Sequence, residues 1–336
     1  MLEGMRQRFG IICVAFLLLP APTLAFQTGP RTSPEQIAFQ AVNSATSPAA
    51  RLAAAEDFVA NFPGSSRRPE VARLVSEQLA IVRNTDVAIT LVNRARLIFT
   101  SAAELEFLQP AALEIYLNGN RTDDAFATGA EFFMRKPDEL WALVKLTHLG
   151  AQEAKNRNTK FAEPSLSYGL RAIDLIEKQQ KPPAMKEETW LDFKSKLPGL
   201  YMQVAIISLA QGRTGDARIQ IKKAVQLAPN DPVGFGLLGR VLNSEYEKAS
   251  ADYQRMAEGG LKQDEKHGLD MLLNEIVDAY ARAVAFATGK PEHQTLLQQV
   301  VPDLTSYYKY RHNGSVSGLQ QLIQGYRNEA LKNSAP

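Results

Sequence analysis

Apolar positions along this chain recur every three or four residues and almost never every second one, which is the period of a helix face rather than of a strand. The clearest case is LYMQVAIISLAQGRTGDARIQIKKAVQLAPND, Leu200 to Asp231: an apolar helix, a turn at Gly212 to Gly215, and a second helix that stops at Pro229. So short a connection returns the chain alongside itself, and the two helices form an antiparallel hairpin. Ala205 and Ala217 fall where the axes cross, and larger side chains there hold helices apart. Ala224 lets a following helix approach. Pro229 lacks an amide donor, and Asp231-Pro232 reads as the cap and first turn of a third helix.

The same punctuation runs through the rest of the chain. Ser33-Pro34-Glu35-Gln36 is a cap, a first-turn proline and a capping-box glutamine, opening a helix to about Asn43. Ser47-Pro48 opens the next, with Leu52, Ala55, Phe58, Val59 and Phe62 at helical spacing until Pro63-Gly64 ends it. Helices follow over 69–83, 85–98, 102–118 and 121–135, with Ser101 and Glu104 as a capping box. Pro137 is expected in the first turn of a helix carrying Trp141, Leu143, Val144 and Leu146. The segment GAQEAKNRNTK, residues 150–160, reads as a polar linker to a partner helix, Phe161 to Lys178, that buries Tyr168 and Ala172. Glu187 to Ala210 reads as one long helix, interrupted if at all at Pro198. Beyond Gly239, helices are expected over 241–257, 264–288, 291–310 and 317–331, the last opened by a capping box of Ser317 and Gln320. Asn313-Gly314-Ser315 is a turn rather than a glycosylation site. About 14 helices in antiparallel pairs, with no alternating strands, make the fold class all-α.

One order of residues carries a resemblance. Tyr201, Ala205, Gly212, Ala217, Ile221, Ala224 and Pro229 resemble the aromatic, small, glycine, alanine, bulky, alanine, proline series of the tetratricopeptide repeat, whose period is about 34 residues. One period later Tyr201 maps to Phe235 and Ala205 to Gly239. Ser208 departs from the series, which favours an aromatic there, and the second repeat loses the pattern after Leu242. Residues 199–231 are the best repeat, and 106–139 and 232–245 are partial ones. The resemblance implies a TPR-like α-solenoid, helix pairs stacked as a right-handed superhelix, over residues 33–260. Residues 261–331 are then its C-terminal capping helices, and 26–32 and 332–336 its disordered tails.

Composition adds an address. Arg6 and Arg8 precede an apolar run, Phe9 to Leu19, which Pro20 and Pro22 break, and Thr23-Leu24-Ala25 reads as a peptidase site. Residues 1–25 are therefore expected to be a signal peptide cleaved after Ala25, exporting the chain to the periplasm or medium with no stable membrane insertion afterwards. Cleavage leaves 311 residues, takes the formal charge from +2 to +1, and removes Cys13, the only cysteine. A thiol nucleophile, a disulfide scaffold and a cysteine metal site are thereby excluded from the mature chain. So balanced a charge also argues against a nucleic-acid surface, which needs a concentrated basic face.

A search for chemistry returns little. His148, His267, His293 and His312 stand far apart, and only His267 has carboxylates, Asp264 and Asp270, at helical ligand spacing, the ordinary composition of a wet helix start. No nucleophile elbow, phosphate loop or dinucleotide motif occurs. No metal, cofactor or catalytic residue is assigned. The expected function is a non-enzymatic module that binds a protein or peptide partner. In the tetratricopeptide family the first helix of each pair lines a groove, and the resemblance implies Met202, Ile206 and Leu209 with Val233, Arg240 and Asn243 as its wall here. The competing view of these apolar positions is core, covered by the helix at 264–288. Tyr308 and Arg311, in SYYKYRHNGS, form a second candidate contact cluster, against which stands simple packing of the last helices. Two rival classes remain: a structural subunit of an envelope complex, and an envelope-polymer-degrading enzyme using acids such as Glu114 or Asp123.

Overall fold

The computed structural model describes residues 32–257 and 263–333. The expected signal segment 1–25, nearly all of the 26–32 tail, and residues 334–336 lie outside them. Among the described residues there are fifteen α-helices, one short 3₁₀ turn and no strand. The chain opens with α1 (Pro34–Ser44) and α2 (Pro48–Asn61), then α3 (Arg68–Leu79) and α4 (Thr85–Ile98), then α5 (Ala102–Asn118) and α6 (Thr122–Phe133). Next come α7 (Leu140–Lys155) and α8 (Ala162–Glu177), with the short α9 (Glu187–Ser195) before α10 (Leu197–Ala210) and α11 (Thr214–Leu227). Last are α12 (Pro232–Ala257), α13 (Gln263–Ala287), the 3₁₀ turn Pro291–His293, α14 (Gln294–Arg311) and α15 (Leu319–Asn333).

The tight antiparallel hairpins are α1 with α2, α5 with α6, α7 with α8, α10 with α11, and α12 with α13. Successive hairpins then stack, α10 lying on both α7 and α8, and α11 on α12. This is the TPR-like all-α array that the repeat signature implies. Elsewhere the pairing is looser. α3 packs more on α2 and α5 than on α4, and α14 and α15 both lean on α13.

The small residues do what the hairpin argument requires. Ala205, Ala217 and Ala224 are fully buried, as are Tyr116 and Ala125 of the less regular pair α5/α6. A Cβ on Gly150 of α7 would stand 1.8 Å from Ser165 Oγ of α8, so glycine sets how closely that pair closes. Two cores result and meet at α7, which sends Ala142 and Leu146 into the N-terminal core and Leu140, Leu143 and Ala151 into the C-terminal one. Caps form where the sequence places them: Ser33 accepts from Gln36 N at 3.1 Å, Ser47 from Ala50 N at 3.2 Å, and Asp231 from Val233 N at 3.0 Å. Ser101 and Glu104 complete a capping box.

Several element expectations need correction. The expected linker at 150–160 is helical to Lys155, because Ala151 and Ala154 keep the buried period of α7 going. The helix expected over 241–257 is the continuation of the one opened at Pro232: α12 runs unbroken from Pro232 to Ala257, with Val241 and Leu242 buried. The long helix at 187–210 is split at Lys196, and Pro198 opens α10 from its first turn. Pro137 lies in the turn before α7, not in it. Ser317 is not a cap: α15 starts at Leu319 after Gly318, whose φ of +90° ordinary side chains avoid. The Ser317 carbonyl instead accepts from Tyr308.

Candidate binding site between the first helices

The helices around this site each bury one face and turn another toward it. In α10, Leu200, Tyr201, Val204, Ala205, Ile207 and Ser208 are buried against neighbouring helices. The remaining stripe, Gly199, Met202, Gln203 and Ile206, lines a cavity of about 430 Å³. Its spacing is i, i+3, i+4, i+7, one continuous helix face. Three other helices offer the same spacing to the same cavity: His148, Ala151, Gln152 and Lys155 of α7; Val233, Gly236, Leu237 and Arg240 of α12; Leu296, Gln299, Val300 and Asp303 of α14. Tyr280 of α13 also lines it, reached through Gly239, where a Cβ would stand 2.3 Å from the Tyr280 ring.

A second cavity, about 840 Å³, repeats the pattern in the N-terminal half. α3 contributes Arg73, Ser76 and Glu77 with Ala80 just beyond its end, α5 contributes Phe107, Pro110, Ala111 and Glu114, and Thr85 and Ala88 of α4 also line it. Trp141 of α7 borders it, seven residues before His148 on the same stripe. One helix face thus serves both cavities, and the lining runs from α3 through α5, α7, α10 and α12 to α14.

The first cavity is electrostatically unusual for this molecule. Charged side chains elsewhere are mostly paired: Arg218 holds Glu245 at 2.8 Å and Glu275 at 2.7 Å, and Lys145 holds Glu114 at 2.6 Å. In the cavity, Lys155, Arg240, Glu292 and Asp303 make no hydrogen bond or ion pair with any described residue. His148 sits between Gln152, 2.9 Å from Nε2, and Gln203, 3.2 Å from Nδ1. Each of these contacts is made by the amide nitrogen, and a neutral imidazole accepts through one ring nitrogen only. Partial burial, and then the Lys155 charge, lower the His148 pKa below the ordinary histidine value, so the ring is neutral at pH 7.

Tyr280 is almost wholly buried, and its hydroxyl has no hydrogen-bond partner. Burial, followed by the charge of Asp303, raises its pKa, and the Arg240 charge acts in the opposite sense. The phenol is therefore held neutral, and Arg240 and Asp303 line the same cavity without pairing with each other.

Four of the residues named from sequence come together here: Met202, Ile206, Val233 and Arg240. The other four lie elsewhere. Leu209 packs half-buried against the C-terminal core, and Asn243 accepts a hydrogen bond from Tyr307 while donating to Glu247 at 3.0 Å. Tyr308 is buried, donates to the Ser317 carbonyl at 2.9 Å and stacks on His312. Arg311 donates to Asn274 at 2.8 Å and lies 3.7 Å from Asp270. The helix flanking the groove is α14 rather than the one expected at 264–288, which is α13 and contributes only Tyr280. Glu114 and Asp123 each pair with a lysine, Lys145 and Lys160. Among the described residues no group of three or more histidines and carboxylates is arranged to hold a metal, and no helix is long and apolar enough to cross a membrane.

Sequence reading missed His148, Gln152, Lys155, Tyr280 and Asp303 as cavity residues. Gln152 and Lys155 were hidden by taking 150–160 as a linker. The signal that finds them is the i, i+3, i+4, i+7 stripe, which α7 and α14 carry as plainly as α10.

No family model matches the sequence, and no curated protein matches it either. Among solved structures, a tetratricopeptide repeat protein from Parabacteroides merdae is 11% identical, with 79% of this chain and 96% of that one covered at a TM-score of 0.33. The C-terminal part of a TPR repeat-containing protein from Cytophaga hutchinsonii is also 11% identical, with 87% and 97% covered at a TM-score of 0.36.

Proposed function

We propose that this chain is an exported, non-enzymatic interaction module that binds a protein or peptide partner along the face made by the first helices of its pairs. The observation that carries the reading is the repeated stripe: from α3 to α14 these helices turn the same spacing of side chains toward two adjoining cavities. An extended segment or a helix laid across such a face meets side chains at regular intervals, which is how groove-binding modules read a partner. Export rests on residues 1–25 alone. The non-enzymatic part rests on the acids named for the rival enzyme, Glu114 and Asp123, each of which is held by a lysine, Lys145 and Lys160.

The test is affinity capture from a periplasmic extract of the source organism, followed by mass spectrometry. A partner is expected with the wild-type chain and lost with Ile206→Asp and with Arg240→Glu, both variants keeping the wild-type helical circular dichroism. Capture of the same partner by both variants overturns the reading.

A further inference from the structure

We infer that the cavity between α7, α10, α12 and α14 is a binding site for a small zwitterion with an apolar body, a free apolar amino acid or a short apolar peptide. The inference rests on this face being the binding surface and adds what the C-terminal cavity takes.

Three observations converge on that chemistry. The first is Tyr280, a buried phenol with no hydrogen-bond partner, in the cavity wall. Leaving such a group unsatisfied is destabilising, and a native fold keeps few of them without a use. The second is the pair of charges whose fields both reach that phenol, Asp303 and Arg240. They make no ion pair with each other, so the cavity wall offers a cation, a carboxylate and the unpartnered Tyr280 hydroxyl. A ligand carrying one charge satisfies only one of them. A zwitterion satisfies both: its carboxylate meets the Arg240 guanidinium and accepts from the Tyr280 hydroxyl, and its ammonium meets Asp303.

The third observation is the floor. Met202, Ile206, Leu237, Leu296 and Val300 give the cavity an apolar lining. Its volume, about 430 Å³, lies toward the lower end of the range for small-molecule sites. A body of one or two aliphatic side chains matches that room. A purely polar zwitterion does not, because it leaves the apolar floor uncovered.

Isothermal titration calorimetry on the purified protein tests this with leucine and leucyl-leucine, each also as the N-acetyl derivative, which lacks the ammonium, and as the amide, which lacks the carboxylate. Saturable binding of leucine or leucyl-leucine is expected, weakened about tenfold or more by blocking either end. The tighter of the two parent compounds identifies the source, free amino acid or peptide. Arg240→Gln is expected to weaken the parent ligand and leave the amide unchanged; Asp303→Asn is expected to weaken the parent and leave the N-acetyl form unchanged. Tyr280→Phe is expected to weaken binding while the urea midpoint stays level or rises, a pattern that loss of structure does not produce. No saturable heat from either parent compound at millimolar concentration overturns the inference, as does equal binding of blocked and unblocked forms, or binding that ignores Arg240→Gln and Asp303→Asn. Those results, alongside a partner captured through Ile206 and Arg240, refute the zwitterion site and leave the proposed function standing. Failure of capture by the wild-type chain refutes the function separately.

Discussion

Tyr280 separates a residue's contribution to the fold from its contribution to a site. Its ring is core, seated against Gly239, and its hydroxyl is stranded. Removing the hydroxyl therefore relieves an unmet polar group, and Tyr280→Phe is expected to stabilise the free protein by up to about 1 kcal/mol in urea denaturation. Glu104 is the opposite case, a buried carboxylate that is fully met. Its Oε1 accepts from Arg68 Nε at 2.5 Å, and its Oε2 accepts from Thr100 N at 2.9 Å and Ser101 N at 2.8 Å. Burial pushes its pKa up, but the Ser101 amide and the Arg68 guanidinium outweigh that and hold it below the ordinary glutamate value. A folded-state pKa below the unfolded one, about 4.3, means stability fully present above that value and lost as pH falls through the lower folded value. Glu104→Gln is expected to cost about 2 to 4 kcal/mol at pH 7, leaving Arg68 unpaired, and to flatten the acid limb of stability against pH. Urea midpoints of both proteins between pH 3 and pH 7 check this. An unchanged acid limb means Glu104 does not titrate with folding.

Helix against helix, the molecule is governed by its small residues, and this was its most legible level in sequence. Ala205, Ala217 and Ala224 stand out from spacing alone, and each is buried where two helices close. Ala217→Leu is expected to destabilise by about 1 to 3 kcal/mol through overpacking at the α10/α11 crossing, read as a lower thermal midpoint. Gly150→Ala is expected to do the same at α7/α8, where the added methyl meets Ser165. The linker reading of 150–160 failed because polarity was taken as a sign of loop. Gln152, Glu153 and Lys155 are the outward face of a helix whose inward face, Gly150, Ala151 and Ala154, is too small to read as core by hydrophobicity. The same bias hid the cavity. A side chain that lines a hollow is neither fully buried nor on the bulk surface, and Met202 and Ile206 were legible only because the repeat resemblance says which face is inner. α14 carries the stripe but no repeat signature to say which of its faces is inner, so Asp303 was not picked out.

At the scale of the whole molecule, α7 is the hinge of the account: it joins the two cores and borders both cavities. A partner long enough to lie across both must pass over Trp141 and His148. Export is the other whole-chain expectation, and intact-mass measurement of the natively produced protein is expected to place its first residue at Phe26. A retained residue upstream contradicts cleavage after Ala25. The partner is proposed to sit on the first-helix face, and hydrogen–deuterium exchange of the captured complex against the free chain checks this. Added protection is predicted in α7, α10, α12 and α14, with α8, α11 and α13 unchanged except beside Tyr280. Protection confined to the second helices of the pairs, with the cavity-lining segments exchanging as in the free protein, would contradict it.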